Sequence, residues 1–168
     1  YEYLDSKKNK ETQMWGKCDV ENPYELSRTV QFSYHLYMLY FHDKKEIKTK
    51  NKIFELTLKT QNKLGGFGVE LNSSACEDID SIELLLYLSE VNNDEVEKAL
   101  KKGFVWVLAN QNKDGGFVFR RNEPLWYGHE LLKSSKNESN LFATWFRTLS
   151  ISKLKQNSQY NQHKASVF

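Results

Sequence analysis

The chain has 168 residues, 24 of them basic and 22 acidic, for a formal net charge of +2. That balance provides no global field for nucleic acid or an anionic membrane, and no apolar run approaches the roughly 18 residues a membrane helix needs. Hydrophobic residues make up an ordinary 39%, but aromatics reach 14%, which points to aromatic-lined packing or an aromatic-lined cavity in one globular unit.

The first strong element signal is Asn22-Pro23-Tyr24-Glu25, a capping residue three positions before a glutamate, with proline where its missing N–H is harmless. From Val30 to Phe41 the residues are apolar or aromatic most of the way round, which predicts a helix buried on more than one side. Lys44-Lys45 and the lysines at 48, 50 and 52 read as the solvated face of a second helix, whose apolar side carries Ile47, Ile53, Phe54 and Leu58. That helix ends in the heptapeptide QNKLGGF, Gln61 to Phe67. A second capping signature, Ser74-Ala75-Cys76-Glu77, opens another all-round apolar helix over Ile79 to Leu88. Val96, Leu100, Phe104, Val107 and Leu108 then recur at helical spacing and lead into QNKDGGF, Gln111 to Phe117. A longer loop, Asn122 to Asn137, precedes a third capping signature, Ser135-Lys136-Asn137-Glu138, and a last helix carrying Trp145, Phe146 and Arg147. Residues 155–168, rich in Gln and Asn, read as a polar and weakly packed tail. No alternating strand pattern of useful length appears.

The two heptapeptides are copies at a period of 50 residues, and Met14-Trp15-Gly16 is a degraded earlier copy. Glycine pairs let a chain leave a helix through positive φ, the phenylalanine packs back, and the glutamine side chain bonds neighbouring helix ends. A phosphate cradle would need a preceding strand and GxxxxGK[ST] or GxGxxG spacing, and neither is present. Each unit is therefore an outer, charged-faced helix, a QNxxGGF turn, a loop and a more buried inner helix. The expected fold is all-α, with about three helical hairpins in residues 1–154.

A helix, QxxxGGF and an inner helix opening with acids resembles the repeats of squalene and oxidosqualene cyclases and of protein prenyltransferase β-subunits. The resemblance covers roughly residues 14–154. It implies a partial α/α toroid, with inner and outer helical rings around a cavity. Such rings close with about six hairpins, so the chain, which starts at Tyr1, is expected to be the C-terminal half of a longer toroid or an abbreviated one. The segments GGFGVELNSSACEDIDSIELL and ESNLFATWFRTLSISKL look most like uncharacterised bacterial members of that superfamily, some of which accompany surface-glycan genes.

The resemblance also implies chemistry. Asp78-Ile79-Asp80-Ser81 matches three positions of the cyclases' DxDD acid motif, with Ser81 replacing the last aspartate. Asp80 is the expected acid, with Asp78 and Glu77 raising its pKa by crowding. Acids in a first helical turn also serve as structural caps, and Glu77, in the same slot as Glu25 and Glu138, is read that way. GGFVFRRN resembles the prenyltransferase GGFxxRxN run, but the D-x-C that should follow is missing, so Cys76, Asp78 and His129 are not assigned as zinc ligands and no metal or cofactor is expected.

Arg147 aligns with Tyr34 and Leu86 in an apolar slot and requires a partner, Asp78, Asp80 or a bound anion. Trp145 aligns with Phe32 and Leu84 and is expected in the core. Trp126 and His129 in the long loop are candidate lid contacts, the alternative being that Trp126 simply covers the end of the toroid. Arg28, Tyr34 and His35 join Arg147 as expected substrate-binding residues on the inner helices.

The leading expectation is a cyclase-like or prenyltransferase-like protein acting on or binding a hydrophobic or glycan-lipid substrate. The alternatives are a non-catalytic toroid that binds a glycan or protein partner, and a polysaccharide-processing toroid pairing Asp80 with Glu138. Self-association through an open edge is expected. Cys18 and Cys76 form no disulfide framework, which favours a cytoplasmic setting.

Overall fold

A computed structural model describes residues 1–68, 70–88 and 93–165, with side chains described to residue 156. The described residues form six helices: α1 (Glu2–Ser6), α2 (Pro23–His42), α3 (Lys50–Lys59), α4 (Ala75–Leu88), α5 (Asp94–Ala109) and α6 (Leu141–Ala165). Two-residue strands β1 (Leu125–Trp126) and β2 (Lys133–Ser134) pair antiparallel, Leu125 opposite Ser134 and Trp126 opposite Lys133. Apart from this ribbon the regular structure among the described residues is α-helical. No helix among the described residues is long and apolar enough to cross a membrane.

Helix α4 is the hub. It packs against α2 and α6 and against α3 and α5; α3 also touches α2, and α5 also touches α6. Its sequence accounts for the position, because Ile79, Ile82, Leu84, Leu85 and Leu88 spread around the whole helix and all are buried. A helix apolar all round is stable only when enclosed by others. Helix α2 is enclosed less than its composition suggests: Leu26, Val30, Tyr37 and Tyr40 are buried, whereas Phe32 and Leu39 face outward. Asn22 caps α2, its side chain accepting from the N–H groups of Tyr24 and Glu25, and Asn93 caps α5 in the same way.

The two heptapeptide turns share one geometry, and the degraded first copy closes a similar turn that is one residue longer. The N–H of Asn62 donates to the carbonyl of Gly66, and that of Asn112 to Gly116; in the degraded copy Asn9 donates to Met14. The left-handed position is filled by Gly65 (φ 99°), Gly115 (φ 85°) and, in the first copy, Gln13 (φ 61°). Gln61 Nε2 donates to the carbonyls of Gly65 (2.9 Å) and of Ala99 on α5 (2.8 Å), tying one repeat to the next. Phe67 and Phe117 are buried below their turns.

The start of α6 departs from expectation. Ser135 and Glu138 do bond, the Ser135 N–H donating to Glu138, but they close a turn before α6 rather than its first turn. Asn140 caps α6 instead, accepting from the N–H of Ala143 (2.8 Å). The insertion that lengthens this loop supplies the β1–β2 ribbon. Over the segment read as a polar, weakly packed tail from residue 155, the backbone continues as helix to Ala165, and residues 166–168 lie outside the described residues.

Candidate functional site

In each copy the N–H of the turn aromatic donates to a side chain on the helix it packs against: Trp15 to Ser33, Phe67 to Asp78 (2.7 Å) and Phe117 to Thr144. Asp78 thus occupies a structural slot of the repeat, and its carboxylate is the most elaborated version of it. Besides Phe67 it accepts from Ser73 Oγ (2.8 Å), Trp106 Nε1 (3.0 Å) and the guanidinium of Arg147. Arg147 also donates to the carbonyls of Ser73 and Phe119. Asp78 is therefore the partner that a buried Arg147 requires. Burial drives the Asp78 carboxyl upward, opposed by Arg147, by the Phe67 N–H and by the Ser73 hydroxyl.

Glu77 completes the capping box at the start of α4. It accepts from the N–H of Ser74, and Ser74 Oγ accepts from the N–H of Glu77. Its carboxylate also takes the Arg120 guanidinium at 2.8 Å, an ion pair that links the start of α4 to the loop after the second heptapeptide.

Asp80 lies two residues further along α4 and is treated differently. Its residue exposure is 4%, and among the described residues no hydrogen-bond donor reaches its carboxyl. The nearest basic group is His35 Nε2 on α2, 3.9 Å away, on a side chain 69% exposed. Burial, then the negative charges of Glu83 and Glu77, push the Asp80 carboxyl up to about 8. Glu83, one turn along, is buried as well but fully partnered: Tyr34 OH donates to one oxygen, and Lys153 Nζ sits 2.7 Å from the other. Burial and Glu83 push the Tyr34 phenol well above its usual range. Cys76, on the preceding turn, is pushed up to about 12 by burial and by Asp80, so it remains a thiol.

The structure thus gathers Asp80, Glu77, Tyr34 and His35 into one region spanning α2 and α4, and gives Asp78 and Arg147 to the adjoining turn. It does not bring in the remaining candidates. Arg28 is exposed, its guanidinium 5.8 Å from the ring of Tyr24. Trp126, 70% exposed, and His129 sit on the β1–β2 ribbon, where His129 Nδ1 accepts from the N–H of Leu131. The ribbon is held to α6 through Tyr127, whose ring lies 4.9 Å from that of Phe142. Trp145, expected in the core, is 58% exposed. Among the described residues no group of three or more His, Cys, Asp and Glu could hold a metal ion, and Cys76, Asp78 and His129 do not meet.

Sequence reasoning missed Glu83 and Lys153. Glu83 carried a signal, since it is, with Asp80, one of two acids inside the apolar run from Ile79 to Leu88. Lys153 carried none, standing among the ordinary polar residues of α6.

No protein-family model, no curated protein and no solved structure matches this chain.

Proposed function

We propose that the chain is an α/α-toroid repeat protein of the cyclase and prenyltransferase kind, in which Asp80 is a buried carboxylic acid that donates a proton to a hydrophobic or lipid-linked substrate. The observation that carries this reading is the contrast on α4: among the described residues Asp80 is buried with no lysine or arginine partner, only His35 Nε2 at 3.9 Å, and its carboxyl is pushed up to about 8, which favours the neutral form at pH 7. An alkene is a poor base, so its protonation requires an acid kept protonated away from water. In the step, the Asp80 O–H bond breaks, a C–H bond forms at the alkene carbon, and the carbocation left behind faces the Asp80 carboxylate. His35, whose Nε2 lies 3.9 Å from Asp80, and Tyr34 beside it supply aromatic faces. Glu77 serves this acid through its charge; Asp78 and Arg147 serve the fold. The test is to incubate the protein with acyclic polyisoprenoid alkenes and their terminal epoxides and analyse the products by mass spectrometry. Cyclised or isomerised products from the wild type and none from Asp80→Asn support the reading; no turnover by a folded wild type argues for binding without catalysis.

A second reading, a non-catalytic scaffold for a glycan or protein partner, is favoured by a different observation. Trp126, Leu131, Leu141 and Trp145 are all exposed on the ribbon and on α6.

A further inference from the structure

Four acidic side chains of α4 are buried: Glu77, Asp78, Asp80 and Glu83. Three have a cation of their own: Arg120 for Glu77, Arg147 for Asp78 and Lys153 for Glu83. Asp80 alone among the four has neither lysine nor arginine. Burying a carboxylate without a partner is costly, so a buried acid in that position is stable mainly as the neutral form. What sets Asp80 apart from Glu83, which shares its helix and its burial, is where the fold has placed the donors.

We propose that Glu83 is a positioning residue for Asp80: clamped between Lys153 of α6 and Tyr34 of α2, it fixes a negative charge one turn along α4 and so holds the proton on the Asp80 carboxyl. The inference rests on the reading of Asp80 as the acid. The clamp is specific in its atoms. Lys153 Nζ lies 2.7 Å from Glu83 Oε1, and Tyr34 OH donates to Oε2, so both oxygens have a partner. The side chain of Lys153 lies partly over the Tyr87 ring, 5.7 Å from its centroid, which fixes the ammonium at this end of α4. Two carboxylates one turn apart on a buried face do not both ionise readily, and the one supplied with a cation keeps the charge.

The groups that face Asp80 are consistent with this division. From α2 come Tyr34, a donor already committed to Glu83, and the exposed His35. From α4 come Cys76, Glu77 and Glu83. From α6 comes Lys153, acting through Glu83, while Arg147 is committed to Asp78. After burial, Glu83 is the largest influence on Asp80, ahead of Glu77. The arrangement is therefore an acid whose proton is held by a charge that three helices assemble. It forms only when α2, α4 and α6 are all docked, so the acid is armed by completion of the fold.

The test is the titration midpoint of the Asp80 carboxyl, read by carbon-detected NMR in the full chain. Glu83→Gln is expected to lower the midpoint by about one pH unit or more, and Glu83→Asp, which retains the charge, to restore most of it. If Glu83→Gln does not fold, the double variant Glu83→Gln/Lys153→Met removes the pair without orphaning an ammonium. Its midpoint is expected to fall in the same direction but less, because the opposing pull of Lys153 is removed too. A wild-type midpoint near 8 that neither variant moves overturns the role of Glu83 and leaves Asp80 as the acid. A wild-type midpoint in the ordinary carboxylate range, near 4, overturns both.

Discussion

Arg147 on α6 and Asp78 on α4, 69 residues apart in the chain, form an ion pair whose side chains are 0% and 1% exposed. The pair fastens α6 to the turn made by the first heptapeptide, because Asp78 also accepts from the N–H of Phe67 and from Trp106 on α5. Removing one partner leaves the other charge buried and alone. Arg147→Met is expected to cost about 3–5 kcal/mol in chemical denaturation. The double variant Asp78→Asn/Arg147→Met is expected to recover a large part of that loss. A single variant within about 1 kcal/mol of wild type would mean that the pair contributes nothing that hydrophobic packing could not replace.

The heptapeptide glycines make a sharper contrast. Gly65 and Gly115 hold the same slot at φ 99° and 85°. A Cβ on Gly65 would lie 2.5 Å from the carbonyl oxygen of Lys102 on α5, whereas one on Gly115 meets nothing within 4 Å. Gly115→Ala is expected to cost about 1 kcal/mol, the strain of a left-handed alanine alone. Gly65→Ala is expected to cost at least twice that, because backbone must move as well. Equal losses in thermal unfolding would contradict the close approach of α5 to the first turn.

The elevated Asp80 carboxyl ties stability to pH with a definite sign. Folding raises this pKa from the usual carboxylate range to about 8, so the folded chain binds the proton more tightly than the unfolded one. The contribution is complete below about pH 4 and is lost as pH rises toward 8, beyond which it changes no further. Asp80→Asn mimics the neutral acid and removes that dependence. At pH 9 the variant is expected to be more stable than wild type by about 2 kcal/mol or more, with the advantage shrinking toward pH 4. The check is a pair of urea unfolding series across pH; parallel curves for the two proteins would show that Asp80 titrates normally.

Much of this architecture is legible in the sequence because repeats report it locally. The QNKxGGF copies mark the two helix ends that α3 and α5 adopt, and the all-round apolar run of Ile79 to Leu88 marks α4 as the enclosed helix. Arg147 is buried and paired with Asp78, one of the partners expected for it, although the alignment with Tyr34 and Leu86 that suggested an apolar slot does not hold. Other features depend on tertiary geometry that spacing does not encode. Aligning Glu138 with Glu77 put the capping signature at the start of α6, but the inserted ribbon separates the two, and the equivalence that holds is of Asp78 with Thr144 through the turn aromatics. Trp145, expected in the core, is exposed all the same, although the corrected register aligns it with buried Ile79. Lys153 could not be assigned to Glu83, since no local pattern tells which polar residue of a long helix meets an acid on its neighbour.

The ribbon itself separates a lid from a cover. Trp126 is exposed, whereas Tyr127 packs on Phe142. Trp126→Ala is expected to leave stability within about 0.5 kcal/mol of wild type, and Tyr127→Ala to loosen the ribbon, seen as faster amide exchange at Leu132. A large loss of stability in Trp126→Ala would assign that side chain to the packed end of the fold.

The most direct test of the central claim is the pH titration of the Asp80 carboxyl carbon in the wild-type chain, assigned by comparison with Asp80→Asn. A midpoint near 8 is the result expected of a buried acid held neutral at physiological pH by burial, Glu83 and Glu77. A midpoint near 4 would show the carboxylate ionised in the folded protein, and Asp80 could not then serve as a proton donor at pH 7.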